Sequence, residues 1–235
     1  MTTPRARARA QTMEDIKRIA RTQLATEGAA ALSLRAVARE LGVVSSAVYR
    51  YVRSRDELLT LLVVDGYDAL GDAVDAAVAA APADSAARLR AAAHAVRDWA
   101  LAEPAWYGLL FGTPVPGYAA PADQTVTPGT RVIATLLRLI ASAHRDGALT
   151  EPASTPISPA TITDFTRIRD EFDIELPDGL LARALVLWSA LFGAVSFDVF
   201  DMYGSGTFTD RGEVFDLQLT GWLELLGLHR DASGM

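Results

Sequence analysis

The chain has 235 residues, half of them hydrophobic, no cysteine and a formal net charge of −7. Such a length and apolar content allow one large domain or two modest ones around a buried core, and argue against a disordered chain. The lack of cysteine excludes disulfides, thiolate metal sites and thiol redox sensing.

The net charge conceals an asymmetry. Residues 1–60 carry 11 Arg/Lys against 6 Asp/Glu, a balance of +5, whereas residues 61–235 carry 11 against 23, a balance of −12. A basic head on an acidic body suits a protein that meets a polyanion with one end only. The first residues, MTTPRARARAQTMEDIKRIA, lack the apolar core of a secretory signal, so the cytoplasm is the expected location. Arg5, Arg7 and Arg9 alternate with alanine. Residues 1–11 read as a disordered basic arm that adds non-specific attraction to DNA, with minor-groove insertion the sharper alternative.

From there the pattern is helical. Met13, Ile16, Ala20 and Leu24 mark one face of a helix over about 12–27, ended by Gly28. Ser33 is an N-cap for a second helix, with Leu34, Val37, Ala38 and Leu41 at helical spacing, and Gly42 breaks it. A third short helix is predicted from Ser45 to Val52. Ser54 then caps a fourth, with Asp56 and Glu57 favourably placed in its first turn, running to about Ala80 before Pro82. Further helices are predicted at about 84–103, 104–112, 129–147, 159–175, 178–203 and 210–228. Thr113 to Pro128 and Thr150 to Pro159, rich in Pro, Thr and Ala, read as loops. The longest apolar run, Ala184 to Phe197, is shorter than the roughly 20 residues a bilayer span needs and reads as a buried or interface helix.

Two short helices joined by a tight turn containing glycine have the form of a helix-turn-helix, whose second helix enters the major groove. Gly42 and Val43 form the turn. Val43, Val48 and Val52 are expected to face inward onto Val37 and Leu41, leaving Ser45, Ser46, Ala47, Tyr49, Arg50 and Tyr51 outward.

Over roughly residues 12–60 the sequence resembles the TetR family of bacterial transcriptional regulators. The resemblance is carried by Gly28, Ser33, the run Val37-Ala38-Arg39-Glu40-Leu41-Gly42-Val43, then Val48-Tyr49-Arg50-Tyr51-Val52, Ser54-Arg55 and Leu58-Leu59. It implies that Ser33 contacts phosphate besides capping its helix, and that Arg35 can reach a base edge, guanine being its commonest partner. Ser45, Ser46 and Ala47 fill the base-reading positions but are short, so sequence reading leans on Arg35, Arg50 and DNA shape. Tyr49 and Tyr51 match phosphate-bonding positions, and Arg55 stands where a lysine usually pairs a phosphate beside the start of helix four. Val44 replaces the polar residue common before the third helix, and Val52 the usual phenylalanine.

One head buries little DNA, so a homodimer on a palindromic operator is expected. The proposed seam is the last two long apolar helices, through Leu187, Leu191, Ala194, Phe215, Leu219, Trp222, Leu223 and Leu226, as the resemblance also implies. Aromatic residues gather in the body. Trp99, Trp106, Tyr107, Phe111, Phe165, Trp188 and Phe192, with His94 and Arg97 as polar groups, are the candidate lining of a pocket for a small apolar or aromatic effector. Ordinary core is the other reading of each. Trp188-Ser-Ala-Leu-Phe-Gly193 resembles a Trp-x-x-x-His-Gly motif of some TetR-type C-terminal domains, with Phe192 in the histidine position.

Nothing suggests an enzyme. His94, His144 and His229 have no metal-ligand partner at helical spacing, the acidic run from Asp164 to Glu175 reads as a solvated face, and Gly204-Ser205-Gly206 as a turn. The expected fold is all-α: a basic arm (1–11), a three-helix helix-turn-helix DNA-binding domain (12–60) and a larger helical ligand-binding and dimerisation domain (61–235). The expected function is a ligand-responsive regulator, most simply a repressor, with a DNA operator, a small effector and a second copy as partners, and no metal, cofactor or membrane. A small-molecule binding protein with a vestigial head is the alternative.

Overall fold

The computed structural model describes residues 3–151 and 156–228. His229 and part of the loop between Thr150 and Pro159 lie outside them. The described residues form ten α-helices and one 3-10 turn: α1 (Pro4–Glu27), the 3-10 turn Ala29–Ala31, α2 (Leu34–Glu40), α3 (Ser45–Val48), α4 (Arg55–Ala80), α5 (Ser85–Ala102), α6 (Pro104–Phe111), α7 (Ala122–Arg145), α8 (Pro159–Phe172), α9 (Asp178–Val199) and α10 (Arg211–Leu226). Among them there is no strand, only a single antiparallel bridge between Leu149 and Leu228. The fold class is all-α, as expected.

Two compact units emerge, the first comprising residues 1–69 and 102–129, the second 70–101 and 130–235. Helices α4 and α7 therefore each contribute to both.

The first unit is built on α1. Thr3 accepts the Ala6 N–H at 3.2 Å and Pro4 occupies the first helical position, where its missing N–H costs nothing. The helix thus starts at Pro4, eight residues before the predicted start, and Arg5, Arg7 and Arg9 are helical instead of an arm. Its core stripe is Ile16, Ile19, Ala20, Gln23 and Leu24, all buried. Leu34, Val37 and Ala38 of α2, Val48 and Val52, and Leu58, Leu59 and Leu62 of α4 are likewise buried in this unit. Helix α6 is tied to α1 by Arg21, which donates to Glu103 at 3.0 Å and lies 3.9 Å over the buried Trp106 ring. Tyr107 is fully buried and packs on Phe111, which meets Tyr67 edge-on.

In the second unit α9 and α10 pack together, and Leu187, Leu191 and Val195 of α9 and Phe215, Leu219 and Leu223 of α10 are buried. Helix α9 is long and apolar enough to cross a bilayer by length and composition. Its buried stripe, Leu180, Leu181, Ala184, Leu187, Leu191 and Val195, is that of a core helix. Asp210 caps α10 by accepting from Glu213 N–H at 3.0 Å. Gly227 ends it with φ 93°, and a Cβ there would lie 2.5 Å from the Thr150 carbonyl oxygen, so both backbone and space require glycine.

Helix α7 begins at Ala122, earlier than predicted, and carries Pro128 inside it. A proline in the second turn removes one N–H, and the helix tolerates it because the preceding turn is anchored otherwise: Gln124 and Thr125 donate to the Pro121 carbonyl, and the Thr125 hydroxyl does so too at 2.8 Å.

Candidate nucleic-acid interface

The helix-turn-helix consists of α2, the turn around Gly42 and α3. Ser33 caps α2 through the Ala36 N–H at 3.5 Å. Gly42 takes φ 69°, a left-handed conformation that L side chains rarely adopt, and this sets the angle between the helices. Val44 precedes α3 without a side-chain cap, as its apolar side chain dictates. Only Ser45–Val48 is α-helical. Tyr51 and Val52 N–H groups donate to the Val48 carbonyl at 2.8 and 3.1 Å, so Tyr49 to Tyr51 continue as a turn rather than a full helix to Val52.

Burial corrects one expectation. Val48 and Val52 are buried against Val37, but Val43 is 44 % exposed and does not enter the core. It follows the left-handed Gly42, where the chain turns outward.

The start of α4 is fastened to its surroundings. Ser54 accepts the Glu57 N–H at 3.1 Å, and the Glu57 carboxylate accepts the Arg53 N–H at 2.6 Å. That backbone N–H, with the Arg53 guanidinium, holds the Glu57 carboxyl below the usual carboxylate range. Arg55 donates to the carbonyls of Ala29 and Ala30 at 2.9 and 3.3 Å, pinning the 3-10 turn to α4. Its guanidinium therefore has a structural task that the phosphate role expected of it does not include.

Ion pairing divides the basic residues of the head into two groups. Lys17 is held by Glu14 and Asp65, Arg18 by Asp15, Arg21 by Glu103, Arg53 by Glu57, and Arg55 by Asp56. Burial works to lower the Lys17 pKa, but its hydrogen bonds to Asp65 and Glu14 win and raise it. Arg5, Arg7, Arg9, Arg35, Arg39 and Arg50 have no acidic partner among the described residues. Arg35, Ser46, Tyr49 and Arg50 are exposed, while Ser33, Ser45, Ala47 and Tyr51 are half-buried. Charges already neutralised within the fold attract a polyanion weakly; the six unpaired arginines keep their full field.

Arg39, which entered the sequence reading only as part of the run that carries the resemblance, joins the unpaired arginines of the head. It lies in the last turn of α2, exposed and without an acid, and its signal was available in the absence of an acidic residue at i−4.

The residues expected to line an effector pocket divide between the units. Trp106, Tyr107 and Phe111 belong to the first, and His94, Arg97, Trp99, Phe165, Trp188 and Phe192 to the second. His94 Nε2 pairs with Asp216 at 3.0 Å and meets Phe215 edge-on. Arg97 Nε donates to Asp198 at 2.7 Å and lies over Phe215. Trp188 and Phe192 stack with ring centroids 4.2 Å apart, half-buried, Phe165 is buried, and Trp99 is half-buried. Of the residues expected at the dimer seam, Leu187, Leu191, Ala194, Phe215, Leu219, Leu223 and Leu226 are buried within the subunit and Trp222 is half-buried. They lie on α9 and α10, which pack on each other within the subunit. The apolar strips these helices leave outward are others: Val186, Gly193 and Phe197 on α9, and Leu217, Gly221 and Leu225 on α10.

Residues 16–62 match the family profile described as "Bacterial regulatory proteins, tetR family", and residues 89–221 that of "Tetracyclin repressor-like, C-terminal domain". The chain is 47% identical over 226 residues to the HTH-type transcriptional regulator Rv1816 of Mycobacterium tuberculosis, covering 94% of this chain and 95% of that protein. The HTH-type transcriptional regulator Mb1846 of Mycobacterium bovis matches with the same identity and coverage. Among solved structures, the putative regulatory protein SCO4313 superimposes with a TM-score of 0.76 at 36% identity, over 94% of this chain and all of that one. With a helix-turn-helix in the matched head and a matched C-terminal domain behind it, the chain belongs to the TetR family of transcriptional regulators.

Proposed function

We propose that the chain is a cytoplasmic, ligand-responsive repressor without enzymatic activity, which binds a palindromic operator as a homodimer and is released by a small apolar or aromatic effector. The observation that carries this reading is the sorting of charges in the head. The arginines that face a duplex in a helix-turn-helix, Arg35 and Arg50, are among those the fold leaves unpaired, and the Tyr49 hydroxyl has no hydrogen-bond partner among the described residues. Tyr49 and Tyr51 then bond phosphates, Ser33 and Arg55 support the backbone contact, Ser45, Ser46 and Ala47 meet base edges, and Arg35 and Arg50 choose among them.

A second copy is placed against the outward strips of α9 and α10. Gly193 and Gly221 have no atom within 4 Å of where a Cβ would stand, which leaves room for a partner helix to approach. Two heads must meet half-sites about 34–36 Å apart, or a multiple of it. Helix α4 begins at the DNA-facing end and continues into the second unit, so an effector that prefers one arrangement of the body changes the spacing of the heads through it. By linkage, effector and DNA weaken each other reciprocally, typically by about 1–3 kcal/mol.

The test is a mobility-shift titration on DNA upstream of the protein's own gene, over a salt series. Retardation that weakens linearly with log salt supports the reading. No retardation at low salt contradicts it and favours a binding protein with an idle head.

A further inference from the structure

We propose that the first turns of α1 belong to the DNA-contacting surface: Arg5 and Arg9 receive one backbone phosphate of the duplex in a cleft that Arg50, from the turn after α3, also borders. The inference rests on the DNA-binding reading above and adds to it a contact outside the helix-turn-helix.

Three observations carry it. The first is placement. Arg5, Ala8, Arg9 and Thr12 recur at i, i+3, i+4 and i+7 on α1, so they share one helix face, and with Arg50 and Tyr51 they line an open cleft of 340 Å³. The Thr3 cap and Pro4 make that segment helical, which fixes where the two α1 arginines stand.

The second is order. The Arg9 guanidinium lies 5.1 Å from the Tyr51 ring centroid, a cation–π arrangement that holds the side chain over the turn leaving α3. A freely solvated arginine would not be held there. A guanidinium over a ring face still has five N–H donors to offer an acceptor.

The third is charge. No acidic residue lines the cleft, and Arg5, Arg9 and Arg50 have no ion pair among the described residues. Asp15, which lines the adjoining 310 Å³ cleft, is taken up by Arg18 at 3.4 Å, and Glu14 by Lys17 at 2.9 Å. Three like charges around one space repel each other, and an anion entering it relieves that repulsion. The occupant is a DNA phosphate because the cleft shares Arg50 and Tyr51 with the element that meets the major groove. A strand passing α3 brings its backbone to this wall first.

The experiment compares Arg9→Ala with Arg7→Ala. Each removes one positive charge from the same stretch of α1, but Arg7 does not line the cleft. Both are titrated by fluorescence anisotropy against a labelled duplex from upstream of the protein's own gene, at several chloride concentrations. The cleft predicts that Arg9→Ala lowers affinity roughly tenfold and reduces the salt slope by about 0.9, one phosphate's worth, while Arg7→Ala, which removes only diffuse charge, reduces the slope clearly less. Circular dichroism of both variants checks that α1 remains helical, and Arg9→Lys, which keeps the charge and loses the planar stack, falls between wild type and Arg9→Ala. If wild type binds and the two alanine variants have the same slope, the arginines act as diffuse charge and the cleft is overturned alone. If wild type binds no duplex even at low salt, the DNA-binding reading fails and the cleft with it.

Discussion

Gly71 of α4 lies directly beneath Arg131 of α7: a Cβ at position 71 would stand 2.5 Å from the Arg131 Cδ and 2.8 Å from its Nε. Glycine at this point lets the arginine cross the helix and reach two carboxylates on its far side, Asp72 at 2.8 Å and Asp75 at 2.7 Å, with Thr135 donating to Asp75 at 3.1 Å. Hydrogen bonding to Asp75 outweighs burial and raises the Arg131 pKa further. In wild type, Gly71→Ala shifts the far end of the flexible Arg131 side chain, and the weakening of its half-exposed pairs offsets the helix-propensity gain, so little net change in stability is expected. In an Arg131→Ala background the obstacle is gone, and Gly71→Ala should stabilise by about 0.5–1 kcal/mol, the helix-propensity gain. Urea denaturation of the four chains checks this dependence on the background; an equal effect of Gly71→Ala in both contradicts it.

The Arg97–Asp198 pair is a second point of internal tension. The side chains are only 14% and 4% exposed, and the second carboxylate oxygen of Asp198 is buried without a hydrogen-bond partner. Asp198→Ala leaves a buried guanidinium uncompensated and is expected to cost about 3–5 kcal/mol, whereas Arg97→Met with Asp198→Leu should come within about 1–2 kcal/mol of wild type. Thermal or denaturant unfolding distinguishes these outcomes. A single variant no worse than the double one contradicts the account of the pair.

Helix capping at α4 gives a pH signature. Glu57 is held below the usual carboxylate range chiefly by the Arg53 backbone N–H. A carboxyl depressed in the fold contributes stability that is present above its unfolded value, near 4.5, and is lost as pH falls through the folded value. Glu57→Gln should therefore be less stable than wild type at neutral pH, and the two should converge as pH falls through the depressed folded value. Unfolding midpoints measured between neutral and acid pH test it; a gap that is constant across that range contradicts it.

The elements of this fold were legible where local chemistry decides. Ser33 and Ser54 mark helix starts, Gly28 marks an end, and Pro82 follows the end of α4, because caps and backbone preferences act within a few residues; the last helix, expected to run to 228, stops at Leu226 before the left-handed Gly227. Legibility failed where two local signals compete. Arg5 to Arg9 resembled a solvated tail by composition, yet the Thr3 cap and Pro4 start a helix there. Pro128 resembled a helix boundary, yet α7 runs through it. The dimer seam shows a different limit. Helices α9 and α10 are apolar on more than one face, and periodicity finds a stripe without telling which partner covers it. Leu187, Leu191 and Leu219 are buried within the subunit, whereas Leu217 and Leu225 are outward. Arg55 matched a family position for phosphate pairing, and only coordinates reveal its bonds to Ala29 and Ala30.

That last point changes how the head is tested. Arg55→Ala removes two charge-assisted hydrogen bonds to carbonyls, partly exposed, and is expected to cost about 1–2 kcal/mol of stability whether or not DNA is present. Tyr49→Phe removes an exposed hydroxyl with no partner in the fold, so its unfolding midpoint should equal that of wild type. Thermal melts in the absence of DNA check both; an Arg55→Ala melt that matches wild type contradicts its structural role.

Dimerisation through the outward strips predicts that Leu217→Arg with Leu225→Arg yields a folded monomer. Both positions are exposed in the subunit, at 67% and 51%, so the substitutions cost the fold little. Sedimentation velocity reads the outcome, and a dimer that survives both arginines places the interface elsewhere.

The account stands most directly on whether the unpaired face of the head reads duplex DNA. The measurement is the salt dependence of binding to a duplex from upstream of the protein's own gene, for wild type and for Arg35→Ala with Tyr49→Phe, a pair that leaves the fold's own bonds intact. The expected result is that the variant keeps its stability, loses about 2–4 kcal/mol of binding free energy and shows a shallower slope of log affinity against log salt. Affinity and slope equal to those of wild type would contradict the assignment of this face.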